Sequence, residues 1–216
     1  MCGAGNDFIV LENFDGSICS DDLPALARKL CRRCFSVGAD GLMVLEPPEG
    51  DADCKMLFFN NDGTTAEMCG NGARCLCRYC IDHGLSEDVP RIETPAGLVT
   101  GERLAPDIYR IRLNTPTGYR RDALPGCDYL ELGDPGIPQA VIRADLTRSR
   151  KELRDFACTL RHDAAFPRGA NVNLYQLMGD NELRLLTFER GVEDFTLACG
   201  TGNGATVAAL TLRGLV

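Results

Sequence analysis

The spacing of apolar residues along the chain predicts helices and strands in both halves. Apolar positions three and four residues apart lie on one face of a helix, and the predicted helices cover 23–34, 73–81, 151–161 and 205–212. Short apolar runs between turn residues predict strands at 8–12, 41–46, 54–59, 91–94, 98–102, 108–113, 129–132, 139–142, 172–177 and 183–188. Helices and strands do not alternate strictly, so an α+β fold is favoured over a doubly wound sheet.

A polar stretch near the middle of the chain is the best candidate for a domain boundary. Asn114-Thr115-Pro116-Thr117-Gly118 joins a predicted strand to a turn-rich segment. Boundaries between domains fall in segments of this composition. We therefore expect one domain at 1–115 and a second at 116–216.

Charge and composition narrow the class of protein. The formal net charge is −8 without a cluster of basic residues, which argues against a nucleic-acid partner. The sequence shows neither an apolar run of the ~20 residues that a membrane span needs nor a secretory signal. Twelve cysteines without an export signal favour a reducing cytoplasm, where most thiols are small buried apolar groups. A small-molecule substrate fits better than a nucleic acid or a membrane.

Two of the twelve cysteines stand in the same local context. Cys69 is followed by Gly70-Asn71-Gly72 and Cys199 by Gly200-Thr201-Gly202, each before a predicted helix. The two cysteines are 130 residues apart, one in each half. This repeat predicts duplicated domains that face each other, with the two cysteines meeting across the cleft.

Paired cysteines of this kind suit inversion of an amino-acid α-carbon. One group must remove a proton from one face, and another must return a proton to the opposite face. A helix N-terminus lowers the pKa of a thiol placed there, and its N–H groups bind a carboxylate. This chemistry needs no metal and no pyridoxal cofactor.

The motifs around the two cysteines make the chain resemble the diaminopimelate epimerase family. The matching segments are Gly3-Ala4-Gly5-Asn6-Asp7-Phe8, Gly38-Ala39-Asp40-Gly41, Asn60-Asn61-Asp62-Gly63-Thr64, Met68 to Cys75, Gly169-Ala170-Asn171-Val172-Asn173, Glu189-Arg190-Gly191-Val192 and Thr196 to Gly202. The resemblance implies two pseudo-symmetric domains, each a mixed sheet or barrel around a central helix, with the active site in the cleft between them.

The resemblance also implies a role for each matched residue. Cys69 and Cys199 would be the two bases, with Glu189 beside the reaction centre. The reacting α-carboxylate would be bound by the amides of Gly70, Asn71, Gly200 and Thr201. The distal amino-acid end of the substrate would be held by Asn6, Asn60, Asn171 and Arg190. From the residues alone, Glu189-Arg190 is better read as a surface pair at a strand end.

The chain departs from the family in two respects. The family carries a Gly-x-Pro-His loop in the second domain, where this chain has Gly136-Ile137-Pro138-Gln139. Glutamine forms hydrogen bonds but does not exchange a proton at neutral pH, so Ile137 and Gln139 leave room for a racemase of another amino acid. The family also has a strand before the first motif and closing strands after the second cysteine helix, so the sequence is either incomplete or lacks them.

Other uses of the cysteines define the non-enzymatic alternative. Cys31-x-x-Cys34 and Cys77-x-x-Cys80 match the spacing of a four-thiolate zinc site, yet both pairs fall on apolar helical stripes, where packing explains them. His83 and His162 lie apart from the motif cysteines, as surface or capping residues do. The leading hypothesis is an epimerase without cofactor that interconverts LL- and meso-diaminopimelate; a zinc-stabilised or ligand-binding module is the rival class. The sequence does not determine the oligomeric state, and a homodimer is the assembly we expect.

Overall fold

The computed structural model describes residues 1–180 and 182–216. These residues form two units, Met1–Asn114 and Thr115–Val216. In each unit a mixed β-sheet packs against helices, which confirms the expected α+β class. No helix within the described ranges has the length and apolarity that crossing a membrane requires.

The first unit is built on an eight-stranded sheet. Seven strands follow the order β1-β2-β3-β4-β6-β7-β8, and β5 pairs with β4. The strands are β1 (Cys2–Gly3), β2 (Asn6–Glu12), β3 (Gly41–Glu46), β4 (Cys54–Asn60), β5 (Thr65–Ala66), β6 (Arg91–Thr94), β7 (Gly97–Ala105) and β8 (Ile108–Arg112). The pairs β2/β3 and β4/β6 are parallel, so each needs a crossover, which contains a helix.

The two helices of this unit pack on opposite faces of the sheet because side chains alternate along each strand. α1 (Leu23–Leu30) covers the face that carries Leu42 and Val44. α2 (Gly70–Asp82) covers the face that carries Met43 and Leu45. α2 also contacts strands from both ends of the order, β1 and β2 as well as β7 and β8, so the sheet curves around this helix.

The second unit is built on a five-stranded sheet with the order β13-β12-β11-β10-β9. Its strands are β9 (Pro116–Leu124), β10 (Cys127–Gly133), β11 (Gly136–Arg143), β12 (Asn171–Gly179) and β13 (Glu182–Phe188). β11 and β12 are parallel, and the crossover between them contains α3 (Arg150–Arg161). α4 (Gly200–Arg213) contacts β9 to β12.

Three sequence predictions need correction. The predicted helix 23–34 ends at Leu30, and Cys34 is exposed with a φ of 68°, so Cys34 does not lie on an apolar stripe. β9 occupies a segment that the sequence analysis interpreted as polar and turn-rich. The strand was missed because it is a mostly exposed edge strand without an apolar run. α4 begins at Gly200 rather than at residue 205. The prediction missed the first turn because it consists of glycines and polar residues, which have low helix propensity.

The last turn of α4 is tied to the sheet by one buried ion pair. Arg213 Nε donates to Asp128 Oδ2 at 2.6 Å, and the Asp128 side chain is only 3 % exposed. Burial on its own raises the pKa of the Asp128 carboxyl. The hydrogen bonds and charge of Arg213, together with hydrogen bonds from the Asp122 N–H and the Tyr119 hydroxyl, outweigh this effect, and the pKa lies below its ordinary value.

Removing the cation from this pair should destabilise the protein. Arg213→Met leaves Asp128 buried without its cationic partner, and we expect a loss of about 3 kcal/mol in the free energy of unfolding at pH 7. A lowered folded-state pKa stabilises the protein above the ordinary Asp pKa, and this stabilisation is lost as pH falls through the lowered value. The difference between wild type and variant in urea unfolding should therefore narrow below about pH 4. Arg121→Met, which removes an exposed guanidinium 3.8 Å from Asp122, is the control.

Candidate active site

Cys69 caps the N-terminus of α2. Its backbone is extended, with φ −129° and ψ 113°, and its Sγ accepts from the N–H of Gly72 at 3.4 Å. A side chain in this position satisfies one of the N–H groups that a helix leaves without an internal partner. The half-buried thiol is therefore held at the positive end of the helix dipole.

Cys199 caps α4 in the same way. Its φ is −126° and its ψ is 107°, and its Sγ accepts from the N–H of Gly202 at 3.4 Å. The hydroxyl of Thr201 lies 3.4 Å from the same sulfur, and Cys199 is 8 % exposed. The two caps share one backbone conformation and one sulfur–amide contact, which makes the sequence repeat a structural repeat.

The amides predicted to bind the α-carboxylate lie in the first turns of these two helices. Gly70 and Asn71 are the first residues of α2, and Gly200 and Thr201 are the first residues of α4. N–H groups in a first turn carry partial positive charge and bind anions. Each cysteine thus lies, within its own unit, beside a helix start whose N–H groups can bind a carboxylate.

Glu189 follows the last residue of β13 and lies next to Cys199. Its carboxylate accepts a hydrogen bond from the Thr196 hydroxyl. Burial raises the pKa of Glu189 above its ordinary value, while hydrogen bonds from Thr196 and Cys199 lower it in part. A carboxylate that accepts from the Cys199 thiol can take the thiol proton. Glu189 is therefore half-buried beside Cys199, and its interpretation from the residues alone as part of a surface pair is wrong.

The motifs of the first unit converge at one end of its sheet. The β2/β3 register pairs Phe8 with Gly41, and the β3/β4 register pairs Gly41 with Asn60. Asn6 begins β2 and Asn60 ends β4, so these two residues, both predicted to bind the distal end of the substrate, lie at the same end of the sheet. The Asn60 side chain donates to Thr64 Oγ1 at 2.9 Å.

The Asn6 side chain is oriented by hydrogen bonds on both of its polar atoms. Its Nδ2 donates to Asp40 Oδ2 at 3.1 Å, and its Oδ1 accepts from Asn71 Nδ2 at 2.7 Å. Because Asp40 and Asn71 hold opposite ends of the amide, the second N–H of Asn6 has a defined direction.

Asp7, Asp40 and Arg33 form an ion-pair cluster that sequence analysis did not assign. Arg33 donates to both carboxylates, and its hydrogen bond is the main cause that lowers the pKa of Asp7. The available signal was that both aspartates stand inside glycine-containing motifs, Gly5-Asn6-Asp7 and Asp40-Gly41. The cluster fixes the acceptor that orients Asn6.

Asn171 and Arg190 approach each other in the second unit. Asn171 Oδ1 accepts from the backbone N–H of Arg190 at 2.8 Å, which sets the turn after β13. The Arg190 guanidinium donates to the carbonyl of Arg168 at 3.3 Å. The structure thus places these two predicted binding residues together at the end of the sheet where Glu189 follows β13.

Gln139 belongs to a buried polar network that sequence reasoning missed. Gln139, Asn173 and Thr187 are buried on three neighbouring strands and are hydrogen-bonded from side chain to side chain. The available signal was the presence of polar residues inside otherwise apolar strands. Both polar atoms of the Gln139 side chain are used by protein groups, and Ile137 is also buried, so neither departure from the family motif lies on the surface.

Within the described ranges the remaining cysteines and histidines form no group suited to binding a metal ion. Cys31 is buried while Cys34 is exposed, and Cys77 and Cys80 are both buried in α2. Residues 1–180 and 182–216 contain no group of three or more His, Cys, Asp or Glu side chains suited to a metal ion. His83 and His162 are the exposed C-caps of α2 and α3.

Comparison with known proteins identifies relatives over the whole chain. The profile of the family described as diaminopimelate epimerase matches residues 1–107. The chain is 36 % identical to a diaminopimelate epimerase of Methanocella arvoryzae, covering 99 % of this chain and 81 % of that protein. It is 35 % identical to one from Halothermothrix orenii, covering 100 % of this chain and 83 % of that protein.

Solved structures share the fold at low sequence identity. A hydroxyproline epimerase from Agrobacterium vitis matches with a TM-score of 0.73 and 18 % identity, covering 100 % of this chain and 76 % of that one. A probable proline racemase from Agrobacterium radiobacter matches with a TM-score of 0.72 and 19 % identity over the same shares. These structures support the fold, and the full-length relatives support the family. The chain belongs to the diaminopimelate epimerase family.

Proposed function

We propose that this protein interconverts LL- and meso-diaminopimelate with two thiols. One thiol removes the proton from the α-carbon, and the other supplies a proton to the opposite face. The observation that carries the proposal is the repeated cap, in which Cys69 and Cys199 adopt the same backbone conformation at the start of a helix. Relatives named diaminopimelate epimerase at 33–36 % identity support the choice of substrate. This reaction belongs to lysine and cell-wall precursor synthesis.

In one direction of the reaction Cys199 is the base and acts as a thiolate. Glu189 accepts the thiol proton, and the sulfur lone pair then forms an S–H bond to the substrate α-hydrogen. The C–H bonding electrons remain on the α-carbon and spread into the carboxylate, which becomes an enediolate. N–H groups of the helix first turns stabilise the added charge.

The second thiol completes the inversion. The Cys69 S–H bond breaks as a new C–H bond forms on the opposite face, which leaves a thiolate on Cys69. In the reverse reaction the two thiols exchange roles. Each step transfers one proton and no other group, so thiols, amides and a carboxylate supply all the chemistry that the proposal needs.

Isotope exchange separates this substrate from other amino acids. The reduced protein is incubated in deuterated water with LL-diaminopimelate and, separately, with a panel of other L-amino acids that includes proline. We expect deuterium at the α-carbon of diaminopimelate alone. Exchange on another amino acid instead would support the alternative, a racemase of different specificity. No exchange on any of them would contradict the enzymatic proposal.

The hydrogen bond from Thr196 to Glu189 should control the acid limb of the pH profile. A hydrogen bond to a carboxylate favours its charged form, so Thr196→Val should raise the pKa of Glu189. The proposal requires ionised Glu189, and kcat/KM should therefore begin to fall at a higher pH in the variant than in wild type. Thr159→Val, at an exposed position of α3, should leave the profile unchanged. An unshifted acid limb in Thr196→Val would exclude Glu189 as the group that limits activity at low pH.

We also propose a cytoplasmic location. All twelve cysteines are free thiols in the described chain, which suits a reducing compartment. The proposal predicts that activity is lost on mild oxidation and returns with a thiol reductant.

A further inference from the structure

A chain of hydrogen bonds runs through the second sheet and ends at the Cys199 sulfur. Thr187 Oγ1 donates to Asn173 Oδ1 at 2.8 Å, and Asn173 Nδ2 donates to Gln139 Oε1 at 2.9 Å. Gln139 Nε2 then donates to Thr201 Oγ1 at 3.3 Å. The Thr201 hydroxyl lies 3.4 Å from Cys199 Sγ.

The donors in this chain all point the same way. Asn173 Nδ2 also donates to the carbonyl of Ala140 at 3.1 Å, which fixes the orientation of its amide. Gln139 must then present Oε1 to Asn173 and Nε2 to Thr201, since an amide has one accepting and one donating end. Thr201 accepts from Gln139, and its own O–H remains to be donated. A thiolate can only accept, so the Thr201 O–H donates to it.

The packing around Gly202 shows how closely α4 approaches this network. A Cβ on Gly202 would lie 2.3 Å from Asn173 Oδ1 and 2.6 Å from Thr187 Oγ1. Gly202 also supplies the N–H that bonds to Cys199 Sγ. The helix start and the buried side chains thus form one rigid arrangement around a single sulfur.

The Cys69 cap differs at the equivalent position. The residue two places after Cys69 is Asn71 rather than threonine, and its side-chain amide donates to Asn6. Hydrogen bonds in series polarise one another, so a donor chain stabilises charge at its end more than one isolated bond does. The chain that ends at the Thr201 hydroxyl therefore stabilises a thiolate on Cys199.

We propose that Gln139 is a positioning residue for Cys199, which acts through Thr201 to stabilise the thiolate. The proposal deepens the proposed function, because it names a residue that tunes one of the two bases. It does not depend on the identity of the substrate. Gln139 itself is fully buried, and its hydrogen bond to the Thr201 hydroxyl connects it to Cys199.

The test measures the reactivity of each thiol as a function of pH. Wild type and Gln139→Met, which keeps the side-chain length but removes both polar atoms, are treated with iodoacetamide, and alkylation of individual cysteines is followed by peptide mass spectrometry. We expect Cys199 alkylation to slow about three- to tenfold at pH 7, the value of one hydrogen bond. Its pH midpoint should move upward, while the midpoint for Cys69 stays in place.

Two further variants make the result specific. Gln176→Met applies the same change elsewhere in the sheet, where the side chain accepts from the N–H of Leu146, and it should not move the Cys199 midpoint. Thr201→Val removes the last donor and should move the midpoint upward as Gln139→Met does. The double variant should add little to either single change, because both act on one chain.

The outcomes separate this inference from the proposed function. An unshifted Cys199 midpoint in Thr201→Val, or additive shifts in the double variant, would overturn the role of Gln139. If Gln139→Met does not fold by circular dichroism, Thr201→Val decides the question alone. A shifted midpoint in a protein that epimerises no amino acid would support the inference and reject the proposed function. With an active enzyme, Gln139→Met should lower kcat more than it changes KM.

Discussion

Cys199→Ser and Cys69→Ser should each lower kcat for epimerisation by about 10²–10⁴-fold, the range that a positioned acid or base contributes. A serine hydroxyl keeps the size and the hydrogen-bonding capacity of the side chain. It is far less acidic than a thiol, so it neither becomes a base nor supplies a proton readily at neutral pH. Both variants should remain folded, since serine is a favoured N-cap residue. The rate of conversion of LL- to meso-diaminopimelate measures the loss.

The control for these variants is an exposed cysteine outside the two caps. Cys158 lies on the exposed side of α3, and Cys158→Ser should retain wild-type activity. Loss of activity in only one of the two cap variants would contradict the two-thiol account and favour a single-base mechanism. Full activity in both would remove the thiols from the mechanism altogether.

Gly202→Ala should destabilise the protein by about 1–3 kcal/mol, as overpacking of a well-packed interior does. Alanine normally stabilises a helix interior relative to glycine, so the expected sign is reversed here. The reason is the short distance from the added methyl group to Asn173 Oδ1 and Thr187 Oγ1. Relief of this clash would displace the helix start, and with it the N–H that bonds to Cys199. The free energy of unfolding measured in urea and kcat should therefore both fall.

A glycine in the sheet that α4 contacts provides the control. Gly179 ends β12, and a Cβ built there meets no atom of the described residues within 4 Å. Gly179→Ala should leave stability and activity close to those of wild type. A Gly202→Ala variant as stable and as active as Gly179→Ala would show that the close packing beneath α4 is not needed.

The two cysteine caps were predictable because their signal is local. Cys69 and Cys199 each stand directly before glycines and a helix, so a short window contains the whole cap. The helix N-terminus then determines the sulfur–amide contact without help from distant residues. Strands with an apolar run, such as β3, were predictable for the same reason.

The hydrogen-bonded networks were not predictable because their partners are far apart in the sequence. Gln139 contacts Asn173 and Thr201 only because β11, β12 and the start of α4 come together in the fold. Arg33 reaches Asp7 and Asp40 only through the parallel pairing of β2 and β3. A single sequence shows the residue types but not these pairings.

The errors in secondary structure have specific physical causes. β9 is an exposed edge strand, so its side chains carry no apolar alternation, and its backbone pairing with β10 forms it instead. Cys34 continues the three-to-four spacing of α1 by coincidence. The helix has already ended there, and the residue adopts a positive φ.

The most direct test of the account is the position of deuterium after the first turnovers in deuterated water. A thiol carries one exchangeable proton, so the proton removed by one thiol does not return to the product from the other. The account predicts meso-diaminopimelate fully labelled at the inverted α-carbon, while the LL-diaminopimelate recovered at the same time remains unlabelled. Product that retains the original protium at this carbon would show that one base serves both faces, and the two-thiol mechanism would be wrong.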